Sequence, residues 1–296
     1  MKRLSIIIIS IIMFSSGWLT AGETTAAFLK LGSDAKSFGM GNVSAVIPNN
    51  INSIILNPAG LSSMKNKEIS ATFANLYADM RYGFIGIGLP IQKLDTGCGF
   101  GIQYLNSGEI EKRGIDRENF GNYSNKDLAV NIAYGRSFGN IYIGLNSKYI
   151  TSRIEQEKAD ALVFDLGGIY KTKHRIDLGV TIKNLGSGLR YLDKKSPLPL
   201  TLTFGASYKL NVSLLLAVDL KNSIYENETT LSFGMEYLVL SAIALRTGYA
   251  AGNKLQISGL SGGFGISALK DYVLDYAFMP HNELGNIQKI SFKLNF

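Results

Sequence analysis

The side chains that could act as nucleophile, base or ligand are few and scattered. Gly259–Gly263 reads Gly-Leu-Ser-Gly-Gly, which fits the Gly-x-Ser-x-Gly spacing of a serine nucleophile. That spacing works where a strand turns sharply into a helix and lifts the hydroxyl clear. Here it runs into Phe-Gly-Ile-Ser-Ala-Leu, a further alternating stretch. A partner base would have to be His174 or His281, the only histidines, both at expected strand boundaries far from it in sequence. Two histidines and the lone Cys98 give no zinc-ligand spacing, and a single thiol on a strand reads as a small apolar filler. Gly39-Met40-Gly41-Asn42 lacks the lysine-serine ending of a phosphate loop. The carboxylate pairs Glu155/Glu157 and Glu226/Glu228 fall in expected loops and read as solvated. Asp177, Lys183, Asp219, Arg246 and Asp275 fall on the interior face of expected strands and read as cross-strand ion pairs rather than a catalytic set. No catalytic residue, metal or cofactor is expected, and the chain reads as a non-enzyme.

The elements that carry these residues alternate with a period of two. Ile141, Ile143, Leu145 and Tyr149 share one face against Tyr142, Gly144, Asn146 and Lys148. Ile176, Leu178, Val180 and Ile182 oppose Asp177, Gly179, Thr181 and Lys183. Leu231, Phe233, Met235 and Tyr237 oppose Ser232, Gly234 and Glu236. Fourteen such segments are expected, at about 68–77, 82–91, 96–105, 127–138, 140–150, 161–171, 174–184, 199–210, 212–222, 229–239, 241–250, 259–268, 271–279 and 287–296. Most have the roughly 9–11 residues that a tilted strand needs to cross a bilayer. Short turns alternate with longer links, as in outer-membrane barrels. A soluble β-sandwich also alternates. It would not put glycine, serine and charge on one face of so many long strands. The expected fold is therefore an all-β transmembrane antiparallel barrel over 68–296.

Composition agrees. Of 296 residues, 46% are hydrophobic and only 18% charged, with 32 glycines, 15 tyrosines and 15 phenylalanines against 6 prolines. The formal charge of +7 falls to +5 without Lys2 and Arg3, and no basic run argues for nucleic acid. Met1-Lys2-Arg3, then an apolar run from Leu4 to Phe14, then Ser-Ser-Gly-Trp-Leu-Thr-Ala-Gly read as a secretory signal peptide over 1–22, cleaved after Ala21 or Gly22. The run is short of the about 20 residues a spanning helix needs. The last strand alternates to the final residue, with Phe292, Leu294 and Phe296 on one face.

Residues 23–67 do not alternate. They are too apolar for a disordered tail. A barrel of about fourteen strands has a lumen that wall side chains do not fill. A folded N-terminal plug over 23–67 is expected there. Asn57-Pro58 is a turn dipeptide inside it, with Asn57 bracing the turn through backbone hydrogen bonds and Gly60 allowing close approach to the wall.

The stretch Phe28–Met64 resembles the N-terminal signature of PorV/PorQ-family outer-membrane proteins, within the FadL-like superfamily. The resemblance rests on Phe28-Leu29-x-Leu31-Gly32, then Gly39-Met40-Gly41, then Asn57-Pro58-Ala59-Gly60-Leu61. It implies a fourteen-stranded barrel with a lumenal hatch in the bacterial outer membrane. It implies a role in protein export or surface attachment, with secretion-system proteins as partners. The related FadL channels imply the alternative, passive transport of hydrophobic molecules such as long-chain fatty acids, with a hydrophobic ligand. The terminal Phe296 resembles the signal read by the barrel assembly machinery. Outer-membrane lipid is the expected surroundings and a monomer the expected state. An apolar pocket with an opening in the wall would favour transport, and a polar, plugged lumen a partner-binding role.

Overall fold

In a computed structural model the described residues are 24–47, 50–113, 115–116, 118–240, 242–252, 259–268, 271–280 and 285–296. The expected signal peptide and His281 lie outside them. Eighteen strands follow a short lumenal segment: β1 Glu68–Asn75, β2 Arg81–Ile91, β3 Thr96–Asn106, β4 Ile110–Arg113, β5 Asn119–Tyr123, β6 Asn125–Phe138, β7 Ile141–Ile154, β8 Glu157–Lys171, β9 Ile176–Gly186, β10 Leu189–Tyr191, β11 Lys194–Ser196, β12 Thr201–Lys209, β13 Leu214–Ser223, β14 Glu228–Val239, β15 Ile243–Gly252, β16 Gly259–Ala268, β17 Tyr272–Met279 and β18 Ile287–Asn295. Fourteen of them close an antiparallel barrel in the order β1-β18-β17-β16-β15-β14-β13-β12-β9-β8-β7-β6-β3-β2. The seam is a full ladder of β1 on β18, from Glu68 opposite Asn295 to Asn75 opposite Gln288. The Phe296 N–H donates to Lys67 O at 2.9 Å and extends it.

The other four strands are two hairpins, β4–β5 and β10–β11, standing in the links 107–124 and 187–200. The sequence reading left both links without strands. Their strands have three to five residues, and every residue of β4 is exposed, so no apolar alternation marks them. Both hairpins lie at the end of the barrel opposite the chain's C-terminus, here the loop end. The other end carries short turns such as 139–140 and 210–213.

Alternation places the two faces as the pattern requires. Ile132 is 66% exposed and its neighbour Asn131 0%. Phe73, Ile85, Phe100, Tyr134, Tyr149, Phe233, Tyr249, Ile290 and Phe292 point outward to form an apolar belt of the kind that faces lipid. Inside, many of the buried positions are polar: Gln103, Asn131, Asn146, Asp165, Thr203, Asp219, Ser232, Ser261 and Ser291. A soluble domain has the reverse arrangement.

The core of the molecule is made by the segment 24–64, which lies within the barrel. It contains a 3-10 turn Ala27–Lys30, helix α1 Ala35–Gly39, helix α2 Ser53–Leu56 and a 3-10 stretch Pro58–Ser63. Helices this short are not stable alone, so packing holds them. Phe28, Leu29, Phe38, Ile51, Ile54, Leu61 and Met64 are buried in one cluster with inward-facing Tyr82, Phe84 and Leu105. Asp34 caps α1, accepting from the Ser37 N–H at 3.1 Å and from the Ser37 hydroxyl.

Candidate functional site

The signature residues meet the wall at one level. Asn57 is fully buried and braces the turn three ways. Its amide donates to Ala45 O and to Gly168 O, and its side-chain oxygen accepts from the Ala59 N–H at 3.2 Å. Pro58 starts the 3-10 stretch, where its missing N–H costs nothing. Gly60 N–H closes onto Asn57 O at 3.0 Å. This backbone lies directly against glycines of the wall. A Cβ at Gly144 or Gly167 would overlap Pro58 or Asn57, one at Gly97 would overlap the Leu61 carbonyl, and one at Gly135 would stand 2.7 Å from Pro58 O. These four are register partners, Gly97 with Gly135, Gly135 with Gly144, and Gly144 with Gly167. Gly179 opposite Gly205 continues the row beneath Ala45, and Gly234 opposite Gly248 continues it beneath Met40. Along this row interior side chains have been given up where the segment's backbone touches the wall. The sequence reading put glycine on the interior face without seeing that the glycines align across strands. Register, which a single sequence does not give, was the missing signal.

Gly41 takes φ +74 and donates its N–H to Ser261 Oγ at 3.0 Å. Ser261 also donates to Gly248 O, so the serine of the Gly-x-Ser-x-Gly match is a buried brace in mid-strand β16. It has no nucleophile elbow. Gly39 packs on Ala277 and the backbone of Gly262 and Gly263, and Gly32 O accepts from Lys289 Nζ at 2.7 Å. Phe28, Leu29 and Met40 are buried, and Leu31 packs partly buried beside them.

The charged interior residues mostly hold this segment rather than one another. Asp219 accepts from the N–H groups of Ser44 and Ala45 at 2.6 and 3.0 Å. Arg246 binds Glu236 at 2.7 Å and Asp275 at 2.6 Å, and Lys36 of the segment adds to Glu236 at 2.7 Å. Lys289, 1% exposed, lies over the rings of Phe38 and Tyr82. Cross-strand pairing therefore describes Arg246 and Asp275 but not Asp219. Glu226 and Glu228 are not solvated. Glu226 pairs with Lys30 at 2.8 Å and accepts from the Thr24 hydroxyl, while Glu228 is buried in the first position of β14. Glu155 is exposed and pairs with Lys112 of β4.

On the loop side of this contact level the wall carries longer polar side chains. In register, Lys183, Thr201, Ser223 and Glu228 form one interior row, and Thr181, Thr203, Lys221 and Thr230 the next. A cavity of about 60 Å³ lies above them, lined by Lys183, Thr201, Ser223, Lys221 and Thr230 of these rows and by Leu29, Lys30 and Asn42 of the segment. Strand β9 bulges here. Asp165 faces both Lys183 and Asn184, because Phe164 pairs with Leu185 and Leu166 with Ile182. Asn184 takes φ 64, which asparagine tolerates. Its backbone N–H donates to Asp165 at 2.8 Å, its side-chain Oδ1 accepts from Lys148 Nζ at 2.6 Å, and its side-chain amide donates to Pro199 O at 2.9 Å. Beyond Lys183 opposite Thr201 the β9–β12 ladder stops. A second cavity, of about 340 Å³, opens at that gap, lined by Leu185, Lys195, Leu198, Leu200 and Tyr225. Asn184 lines both cavities. Nothing in the alternation announces the bulge.

No family model matches the sequence, and no curated protein matches it. Solved structures do. The toluene transporter TodX of Pseudomonas putida aligns with a TM-score of 0.68 at 14% identity, over 88% of this chain and 96% of that one. The toluene transporter TbuX of Ralstonia pickettii gives 0.69 at 14%, over 90% and 98%. A FadL homologue of Pseudomonas aeruginosa gives 0.62 at 11%, over 89% and 98%. At such identity the likeness is one of fold, and it spans nearly the whole of each chain: this protein has the closed fourteen-stranded barrel fold of FadL-like channels.

Proposed function

We propose that the protein is a passive outer-membrane channel for small hydrophobic or amphiphilic molecules. The observation that carries this reading is the break in the wall beside the β9 bulge. There an outward cavity and a lumenal cavity share Asn184. The full-length likeness to two toluene transporters and a FadL homologue supports it. The lumenal segment then acts as a plug that closes the turn end. On this reading the chain is a non-enzymatic monomer in outer-membrane lipid. The barrel assembly machinery inserts it by reading Phe292, Leu294 and Phe296. Uptake of a radiolabelled hydrophobic tracer by an outer-membrane-transport-deficient host tests it. Expression should raise the uptake rate, and Asn184→Trp, which fills the shared point, should abolish the gain. No gain with protein correctly inserted would remove the reading.

One observation favours the second reading, a PorV/PorQ-like factor in protein export or surface attachment. The lumen is polar and filled by its own N-terminal segment, as a binding platform would allow. In that case uptake is unchanged and deletion of the gene abolishes surface display of an exported protein instead.

A further inference from the structure

The outer face of the wall carries a groove that is separate from the lumen. In register, Ile143, Gly168, Val180 and Phe204 form one outward row, and Ile141, Tyr170, Leu178 and Ala206 the next toward the turn end. Gly168 leaves the first row without a side chain in its middle. An open groove of about 460 Å³ lies there, walled by Ile141, Ile143, Tyr170, Val180 and Phe204. One row further on, Ile176 stands opposite Tyr208. These two line a second hollow, of about 600 Å³, with Lys173, His174 and Arg175. The groove thus runs from the apolar belt out to the β8–β9 turn. Behind it, Gly167 and Gly179 lie against Asn57 and Ala45, so this stretch of wall is bare of side chains on both faces.

The turn is unlike the others at its end. Thr172-Lys173-His174-Arg175 has two cations and no acid. The turns 92–95 and 269–271 each set one lysine against one aspartate, and 139–140, 210–213 and 240–242 carry no charge. Among the described residues, Lys173, Arg175 and Lys209 make no ion pair within 4 Å. Arg175 reaches only the Leu210 carbonyl, at 3.3 Å, and the Lys209 N–H donates to Arg175 O at 3.1 Å. Asp177, the acid closest in sequence, faces the lumen opposite Lys171. On the other flank Arg136 stands outward, opposite Ile143, with its guanidinium over the Phe138 ring at 4.9 Å, on the turn side of its own position. A group of cations without counter-charge therefore surrounds the mouth of an apolar groove.

We infer that the groove seats an acyl chain of an anionic phospholipid of the leaflet at the turn end, with the lipid's phosphate held by Lys173 and Arg175. The walls select a lipid, because both rows belong to the belt that faces lipid. The mouth selects an anionic head, because guanidinium and ammonium groups both donate to phosphate oxygens. The short turns of outer-membrane barrels lie on the periplasmic side, where the leaflet is phospholipid. The site lies outside the lumen and does not depend on the transport reading.

Native mass spectrometry of the full chain in a non-ionic detergent tests it, with dioleoyl phosphatidylglycerol and dioleoyl phosphatidylcholine as competing probes. The protein should retain phosphatidylglycerol at least about tenfold over phosphatidylcholine, since only the head-group charge differs. Lys173→Gln/Arg175→Gln should cut phosphatidylglycerol retention by about tenfold and leave phosphatidylcholine unchanged. Lys65→Gln/Lys93→Gln removes the same charge from another part of the same end and should change neither. Gly168→Leu should lower retention of both lipids by filling the groove. Its Cβ meets Val180 Cγ1 at 3.2 Å and no backbone nearer than 4.0 Å, so the barrel tolerates it. A shift between boiled and unboiled samples on a denaturing gel shows that each variant is folded. Equal retention of the two lipids by the unmodified protein overturns the inference. So does an equal loss in both double variants, which would mean net charge alone, or a folded Gly168→Leu that retains phosphatidylglycerol unchanged. Displacement of the lipid by equimolar inorganic phosphate would mean a free-anion site and overturns it too. A two-chain mass that disappears in Gly168→Leu would give the groove to a second copy instead. Tracer uptake enters none of these readouts, so failure of the channel reading leaves the site standing.

Discussion

The two halves of the lumenal segment are held by different physics. Residues 45–64 sit in a socket of shape, with the backbone of Asn57–Leu61 against glycines of β3, β6, β7 and β8. Residues 30–44 sit in a socket of charge, where Asp219, Glu236, Arg246 and Lys289 take hold of Ser44, Lys36, Gly32 and Phe38, and Asp219 reaches on to Ala45 at the boundary. On that side only Gly39, Met40 and Gly41 meet wall glycines. A steric socket has one occupied state, because moving the backbone exposes a groove that nothing else fills. A charged socket can exchange partners and depends on protonation. The difference assigns the firm closure of the turn end to the glycine row. It assigns whatever movement the segment has to its first half, which also roofs the small lumenal cavity through Lys30 and Asn42.

The largest effect should come from breaking the charged socket at its hub. Arg246→Met leaves Glu236 and Asp275 buried with one cation, Lys36, between them. Removing one partner of a buried ion network costs about 3–5 kcal/mol. Protease nicking at 24–44 should rise sharply while the barrel stays heat-modifiable, since none of its ladder bonds is touched. Unchanged nicking would mean that α1 is held by packing on β16 and β17 alone.

Filling the shape socket should cost less and act elsewhere. Gly144→Val forces a side chain into the Pro58 backbone, and overpacking of this kind costs about 1–3 kcal/mol. Nicking should now appear at 45–64 and leave 24–44 protected. Asn57→Ala strands the Ala45 and Gly168 carbonyls and should loosen the same half by about 1–3 kcal/mol. Loss of both halves together in either variant would erase the distinction between the sockets.

How much of this could be read from the chain follows the same division. The barrel was legible because Ile, Leu, Phe and Tyr recur at every second position, and lipid outside imposes that period on every strand. The lumenal segment was legible as a folded stretch because it is apolar and full of turn residues without alternating. Its contacts were not, because Gly97, Gly135, Gly144 and Gly167 become one feature only once strand register is known. Lys183 was seen as an interior charge, but Lys221 was not singled out. The bulge that brings Asn184 to the junction leaves no mark except one asparagine. Glu226 and Glu228 read as solvated because loop position says nothing of a lysine arriving from 196 residues away.

The smallest effect is a pH dependence at Asp34, which tests whether the charged socket responds to protonation. Asp34 is 4% exposed and caps α1 through Ser37. Burial pushes its carboxyl above the ordinary carboxylate value, the Ser37 hydrogen bonds oppose that, and the nearby Asp275 adds to it. A carboxyl with a raised value in the folded state holds its proton more tightly there than in the released segment. Its contribution to seating is therefore greatest when protonated. It falls as pH rises from 3.8, the ordinary value, through the raised folded value, and is constant above that. Asp34→Asn keeps an oxygen to accept from the Ser37 N–H and cannot titrate. Amide hydrogen exchange over 35–44, compared between the two proteins at each pH, isolates this carboxyl from all others. The unmodified segment should lose protection relative to the variant as pH rises through that window, and residues 45–64 should show no such divergence. Parallel curves at every pH would mean that Lys289 keeps Asp34 ionised throughout and that the charged socket is as fixed as the glycine one.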